Sequence, residues 1–499
     1  MARTPETPTG PTAPPASVSA GAEPSRVLFV TGRLAEPSLR RLLTEMAPPF
    51  ACDVVVLKIT VAALMTTTWI AGHLRREDIP EDTSLVLLPG LCEGQTEMLG
   101  EQLGVPVAKG PKDLREIPGY FGRAAAARAY GAWDIEIVAE INNAPKLTRA
   151  DVLEAATYFR DSGADLIDVG CTPGLAYREL GAVVRDLVAA GMRVSVDSFD
   201  PGEIRTAVAA GAELVLSVNG SNIDVARELV GTGARVVVVP DLGRSLDTLE
   251  PSLERLAGWS VPYLIDPILE PIGFGFMASL QRYAEVRRRY PEAEMLMGIG
   301  NLTELTAADS TGLNAMMIAI CQELGIRAVL TTEVIPWARG SVREVDVARR
   351  LMHYAVTQRT IPKGIDDRLV TVKDPEVLTY SEDELRTLQA QITDPNFRIF
   401  ADREGITVLN NERFVRSTEP ARIADIFAQL DVHEPTHAFY LGKELARASL
   451  AVTLGKTYRQ EGSLSWGYLT PPDDTTAERV RLTHGLKRDQ SAVPPPSEP

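Results

Sequence analysis

Cysteine and histidine are scarce in this 499-residue chain, with four of one and five of the other. Cys52, Cys92, Cys171 and Cys321 have no C-x-x-C spacing, and His73, His353, His433, His437 and His484 form no ligand cluster, so disulfides and structural zinc are not expected. Basic residues fall short of acidic ones, 51 against 67, and the formal charge of −16 repels phosphate backbones and anionic lipid. Nucleic acid and membrane are therefore not expected as partners. No apolar run reaches the roughly 18 residues of a membrane-spanning helix, and residues 1–25 lack the apolar stretch of a signal peptide. A cytoplasmic enzyme acting on small molecules is the class that remains.

What is present is ordinary globular material, 45% apolar and 24% charged, enough for about three domains. Residues 1–25 and 488–499 are rich in Pro, Thr, Ala and Ser with little to bury, and read as disordered tails. Between 26 and 127 the short runs RVLFVTG, DVVVLKI, SLVLLPG and VPVAKG alternate with helical stretches such as EPSLRRLLTEM, which predicts a Rossmann-like α/β domain. Over 128–362 eight strands are expected, DIEIVAEIN, ADLIDVG, MRVSVDS, AELVLSVNG, ARVVVVPD, PYLIDP, EMLMGIGN and RAVLTTE, each followed by a segment of helical period. Eight such units close a (β/α)8 TIM barrel, with an open doubly wound sheet as the alternative. After Lys363 the alternation stops. RIFAD, GITVLNN and RFVRST read as an antiparallel meander turning at Gly405 and Asn410-Asn411, followed by a helix with a Leu441, Leu445, Ala448, Val452 stripe and a cap at Gly455. This predicts a C-terminal α+β domain, 363–487.

Barrel chemistry sits at the C-terminal ends of the strands. Here those positions carry Asn142 and Asn143, Asp168, Asp197, Asn219, Asp241, Asp266, Asn301, Thr331, Thr332 and Glu333. Lysine, histidine and cysteine are nearly absent, so neither a Schiff base nor a histidine metal cage is expected. Carboxylates accept paired N–H groups and amides both donate and accept, which suits a neutral heterocycle with a donor edge, such as the 2-amino and N3–H edge of a pterin. A sugar or a nucleobase fits the same composition. The plain alternative is that each polar residue only caps the helix that follows or satisfies a loop, as Asp or Asn at a strand end often does.

The motifs in this stretch narrow the choice. Asn142-Asn143-Ala144-Pro145, GADLIDVG ending at Gly170, SVDS with Asp197, and Asp266-Pro267 before Gly273-Phe274-Gly275 together resemble the pterin-binding barrel family of dihydropteroate synthases and methylpterin-dependent methyltransferases. The resemblance runs from about Ile135 to Ala355. It implies that Asp197, Asn219, Asp266 and Asn301 bind the pterin ring, that Asn142 and Asp197 serve catalysis, and that Asn142 helps place a Mg-diphosphate. Lys146, Arg178, Arg339 and Arg343 are candidates to neutralise phosphate, each with a solvated surface charge as the alternative. Two departures from the synthases stand out: Gly298-Ile299-Gly300-Asn301 and Leu330-Thr331-Thr332-Glu333 replace their anion-binding segments, and the first of these resembles the methyltransferase branch.

The layout of the whole chain resembles dihydropteroate synthase-related proteins associated with tetrahydromethanopterin. That resemblance implies condensation of a 6-hydroxymethyl-dihydropterin diphosphate with an arylamine, a ribofuranosyl-aminobenzene phosphate, with Mg carried by the substrate and the reduced pterin as substrate. Methyl transfer from a methylated reduced pterin and non-catalytic pterin binding are the alternatives, and a homodimer is allowed. In the N-terminal domain, Arg33, Lys109 and Lys112 lie in loops where they would suit a phosphate, with a purely structural or dimerising domain as the other reading.

Overall fold

The structure, a computed structural model, describes residues 24–123, 130–241, 243, 245–418 and 422–470. Residues 1–23 of the first expected tail and all of the second lie outside the described residues. The chain divides into two compact units. One comprises residues up to Trp133 together with Arg350–Pro362, and the other Asp134–Arg349 with the residues from Lys363 onward.

In the first unit β1 (Arg26–Thr31), β2 (Ala51–Val56), β3 (Leu85–Leu88) and β4 (Val107–Lys109) form one parallel sheet in the order β2-β1-β3-β4. These are the four apolar runs read from the sequence, and helix α1 (Glu36–Met46) has the expected span. Alternate residues of β1 serve opposite faces. Leu28 and Val30 pack with Ile70, Val86 and Leu99 on one side, and Val27 and Phe29 with Leu39, Leu43 and Leu87 on the other.

The second unit is built on β5 (Glu136–Ile141), β6 (Leu166–Gly170), β7 (Arg193–Asp197), β8 (Leu214–Val218), β9 (Arg235–Val238), β10 (Tyr263–Ile265), β11 (Leu296–Gly298) and β12 (Ala328–Thr331). All eight lie inside the expected stretches and pair in parallel, in the order β10-β9-β8-β7-β6-β5-β12-β11. A bridge between Ile265 and Met295 joins the two ends. The near-closed (β/α)8 barrel thus holds over the open sheet. Its interior has an apolar layer of Val138, Leu166, Leu214, Leu216, Val237, Leu264, Leu296 and Ala328.

At the N-terminal mouth charges are paired. Glu136 accepts from Arg193 at 2.8 Å and Arg235 at 3.1 Å, and Arg193 also reaches Glu213. The buried Arg349 holds Asp165, Asp346 and the carbonyls of Ile135 and Gly163. Outside the barrel, Glu344 on the helix Ser341–Thr357 accepts from Ser310, Thr311 and Asn314 at the start of the helix Ser310–Leu324.

The same unit contains the expected antiparallel meander, β13 (Arg398–Asp402), β14 (Gly405–Leu409) and β15 (Phe414–Ser417). The Asn410 side chain closes its second turn by accepting from Glu412 N at 2.9 Å and Arg413 N at 2.7 Å. The helix Pro435–Leu454 ends at Gly455 in the left-handed region, as the cap reading required. On this helix Glu444 is buried, accepting from Tyr458 Oη at 2.7 Å and Arg447 at 2.8 Å; a carboxylate can enter a core when its oxygens are met by donors.

Candidate functional site

The strand period of two decides which polar residues face the barrel axis. Val138 and Leu166 belong to the interior layer, so Glu140 and Asp168, two residues further along their strands, stand above it on the same face. Glu140 pairs with Asp168, Asp168 with Ser195, and Gly170 with Asp197 across successive strands. Asp266 follows Leu264 by two, and Thr332 follows Leu330. The C-terminal mouth therefore has a floor of carboxyl and hydroxyl groups over hydrocarbon.

These carboxyls are poorly compensated. Asp168 is fully buried with no well-formed hydrogen bond on either oxygen, and the buried Ser195 hydroxyl beside it is the one side-chain donor that favours its ionised form. Burial, followed by the charges of Asp197 and Glu140, drives its pKa well above the usual carboxylate range. Burial, then Asp197 and Glu304, pushes Glu140 up to about 7, against a lowering bond from Asn142. Burial raises Asp197 to about 6. For Asp266 burial also dominates and gives about 6, although Tyr283 Oη at 2.5 Å, Ile268 N at 2.7 Å and the nearby Arg282 favour its ionised form. A buried cluster of like charges is where protons are retained or donors from outside are welcomed. Thiol chemistry is not supported, because burial and Glu203 push the Cys171 thiol up, away from the thiolate.

The amides are partly committed. Asn142 donates to Glu140 Oε1 at 2.9 Å, and its oxygen accepts from the Thr332 hydroxyl. Asn219 accepts from Ser221 N at 2.9 Å and Ser221 Oγ at 2.6 Å, so its Nδ2 is the group it can offer a ligand. Asn301 donates to the Leu269 carbonyl at 3.0 Å, which leaves its oxygen as acceptor. A β-carbon added at Gly298 would lie 3.8 Å from Asn301 Nδ2 and 4.0 Å from Asp266 Oδ2, so Asp266 and Asn301 face one small space that the glycine keeps open.

Among the basic candidates, Lys146 is exposed and donates to Asn143 Oδ1 at 3.1 Å, and Thr172 bonds the same oxygen, tying the loops after β5 and β6. Arg178 is exposed in the loop after β6, with no ion pair among the described residues, and Arg339 is exposed in the loop after β12. Arg343 is a correction. Its guanidinium bonds the Asp161 carbonyl at 2.8 Å at the end of the helix Arg149–Ser162, and so serves that helix C-terminus. Glu333 takes the capping role, accepting from Val342 N at 3.0 Å in the first turn of the helix Ser341–Thr357, while Asp241 serves a loop, accepting from Gly220 N at 2.7 Å.

Two acidic members, Glu140 and Glu304, have no place in the sequence reading. Glu140 was accessible to it, as the inward residue two before Asn142. Glu304 follows the turn Gly300–Thr303, with a buried Oε1 lacking a partner, and no local pattern announces it.

Residues 142–247 match the family described as "Pterin binding enzyme". Residues 25–112 match a family of unknown function, DUF6513, and residues 385–461 a family described as PterinBD-DUF4346. An uncharacterized protein of Methanocaldococcus jannaschii is 26% identical, covering 88% of this chain and 99% of its own. Among solved structures, a Yersinia pestis dihydropteroate synthase with a pterin-sulfa conjugate is 18% identical, with a TM-score of 0.36, over 45% of this chain and 95% of its own. A Thermus thermophilus dihydropteroate synthase in complex with 6HMPPP is 21% identical, with a TM-score of 0.36, over 44% of this chain and 94% of its own.

Proposed function

We propose that the barrel binds a reduced pterin and uses it in a dihydropteroate synthase-like transfer, condensing a 6-hydroxymethyl-dihydropterin diphosphate with an arylamine. The observation that carries this reading is the Asp266 carboxylate beside Asn301 at the open face of Gly298. Asp266 Oδ1 is already met by Tyr283 Oη and Ile268 N, so Oδ2 is the oxygen that accepts from the N–H groups of the pterin edge, and the amides Asn219 and Asn301 offer a donor and an acceptor to the rest of the ring. Residues 142–247 support it through their family match.

The bond to be made is C–N, from the arylamine nitrogen to the pterin methylene, and the bond to be broken is C–O to diphosphate. The cation-like methylene would be stabilised by the floor carboxylates, with Asp197 nearest in role, and the amine proton released in the step would pass to one of them. Lys146, Arg178 and Arg339 are the exposed cations we assign to the departing diphosphate. The donor chemistry around Asn142 is that of hard oxygens, which suits magnesium, with Asn142 Oδ1 the protein oxygen to hold it. Magnesium supplies charge neutralisation of the leaving group. We place the second substrate in the tetrahydromethanopterin type, a ribofuranosyl-aminobenzene phosphate, because the whole-chain layout resembles the synthase-related proteins of that type.

Methyl transfer from a methylated reduced pterin is the second reading, favoured by Asn301 standing where the synthases carry cations. Diphosphate release, measured with the pterin diphosphate and either 4-aminobenzoate or its ribosyl phosphate, separates the two. The synthase reading expects release that depends on the amine and stops with EDTA. Tight pterin binding without release would move the chain to the second reading.

A further inference from the structure

The first unit contains a cavity of about 270 Å³ at the carboxyl ends of β1, β3 and β4. In the order β2-β1-β3-β4 the connections reverse direction between β1 and β3, and this is where an open parallel sheet leaves a crevice for a ligand. The lining is chemically lopsided. Apolar groups from Phe29, Leu39, Leu87 and Ile117 make up most of it, and among the described residues no carboxylate takes part and Lys112 is the one charged residue. In a chain with 67 acidic residues, a lining free of acids is a pronounced local bias. Two further features favour negative charge inside. Thr31 is 3% exposed, and its hydroxyl meets nothing but the carbonyl of the next residue at 3.5 Å. Helix α1 also lines the cavity with its first turn; Glu36 N is taken by the Gly32 carbonyl and Pro37 has no N–H, so with no side-chain oxygen on the N-cap Ala35 it is Ser38 N that stays uncapped. Close packing at the mouth is enforced by sequence, since a β-carbon at Gly90 would lie 2.3 Å from the Pro111 carbonyl oxygen.

We propose that this crevice is a second binding site, independent of the barrel, for a small ring compound bearing one anionic group, the ring against Phe29, Leu39 and Leu87 and the anion met by Lys112. This revises the phosphate expectation. Arg33 is exposed and turned to the Thr60 hydroxyl, and neither it nor Lys109 lines the cavity, so a polyanion such as a diphosphate has too few cations there. An apolar body with a single charge matches the lining.

The test uses the full chain and three probes of one shape: naphthalene-2-carboxylate, 2-(hydroxymethyl)naphthalene and 2-(aminomethyl)naphthalene, measured by calorimetry. The carboxylate is expected to bind one per chain, at least fivefold tighter than the alcohol and more tightly still than the ammonium. Lys112→Ala, on an exposed side chain, should bring the carboxylate down to the alcohol while leaving the alcohol unchanged. Ala63→Trp, at an exposed lining position, should abolish both. Binding of all three probes alike, binding unaffected by Lys112→Ala, or no binding at millimolar probe would overturn the proposal. If Ala63→Trp does not fold, Lys112→Ala decides alone.

Discussion

Asp266 and Glu140 both face the barrel axis, but their surroundings differ. Asp266 is held by Tyr283 Oη and Ile268 N, a frame that orients its oxygens, whereas Glu140 has Asn142 as donor and two acidic neighbours. Asp266→Asn replaces an acceptor with a donor facing the pterin edge. Charge-assisted bonds of this kind contribute about 1.5–3 kcal/mol each, so pterin affinity should fall roughly a hundredfold by calorimetry, with little change in the ligand-free Tm. Wild-type affinity in the mutant would make Asp266 a structural strand-end residue. Glu140 bears on stability. A carboxyl with a raised pKa keeps its proton in the folded state while the unfolded chain loses it, so its contribution is complete below the ordinary carboxylate range and is lost as pH rises to about 7. The ligand-free Tm should decline over that interval, and Glu140→Gln should flatten the decline. A Tm that rises from pH 5 to 7 and is unaltered by the substitution would contradict this account.

At the scale of elements, the mouth depends on β11 ending in a glycine. Gly298→Val sends methyl groups into the space shared by Asp266 and Asn301. The β-carbon would already touch Asn301 and Asp266 and the methyl groups would fill the space between them, so pterin affinity should drop by about tenfold or more, and since overpacking typically costs about 1–3 kcal/mol the unliganded protein should melt a few degrees below wild type. Retained affinity would place the ring elsewhere. The helix Ser341–Thr357 owes its position to Glu344, which is buried and accepts from Ser310, Thr311, Asn314 and, at 2.9 Å, Tyr468 Oη. Glu344→Leu leaves four donors without their carboxylate. A destabilisation of roughly 2–5 kcal/mol is expected in urea unfolding, far above what a surface Glu→Leu would give.

For the molecule as a whole, the two mouths of the barrel are electrostatic opposites, paired at the N-terminal end around Glu136 and acidic at the C-terminal end around Asp168. Pterin binding should follow the titration of the acidic end. The N–H donors of the ring need ionised Asp266 and Asp197, both near 6, so affinity should be constant above pH 7 and fall below 6 by up to about tenfold per pH unit for each proton displaced. Calorimetry from pH 5 to 8 reads this directly. Affinity that increases on acidification would mean that the ring binds protonated carboxyls as acceptors of their protons, with the assigned roles reversed.

The sequence by itself determined the strands, because a β-strand buried on both faces needs only a short apolar run and the barrel repeats that run eight times. It likewise determined the four-stranded parallel sheet and the meander, whose turns are written in Gly405 and Asn410. It put Asp197, Asp266 and Asn301 at or just past the ends of their strands, since strand ends are local features. Tertiary structure decided the rest. Whether Arg343 faces a substrate or the Asp161 carbonyl depends on which helix lies beside it, and whether Glu444 is wet or buried depends on Tyr458 and Arg447 arriving from elsewhere in the chain. Glu140 and Glu304 became part of the acidic floor only when barrel closure brought β5 within range of Asp197 and the turn after β11 within range of Glu140, because burial and Coulomb repulsion are properties of a neighbourhood and not of a residue type.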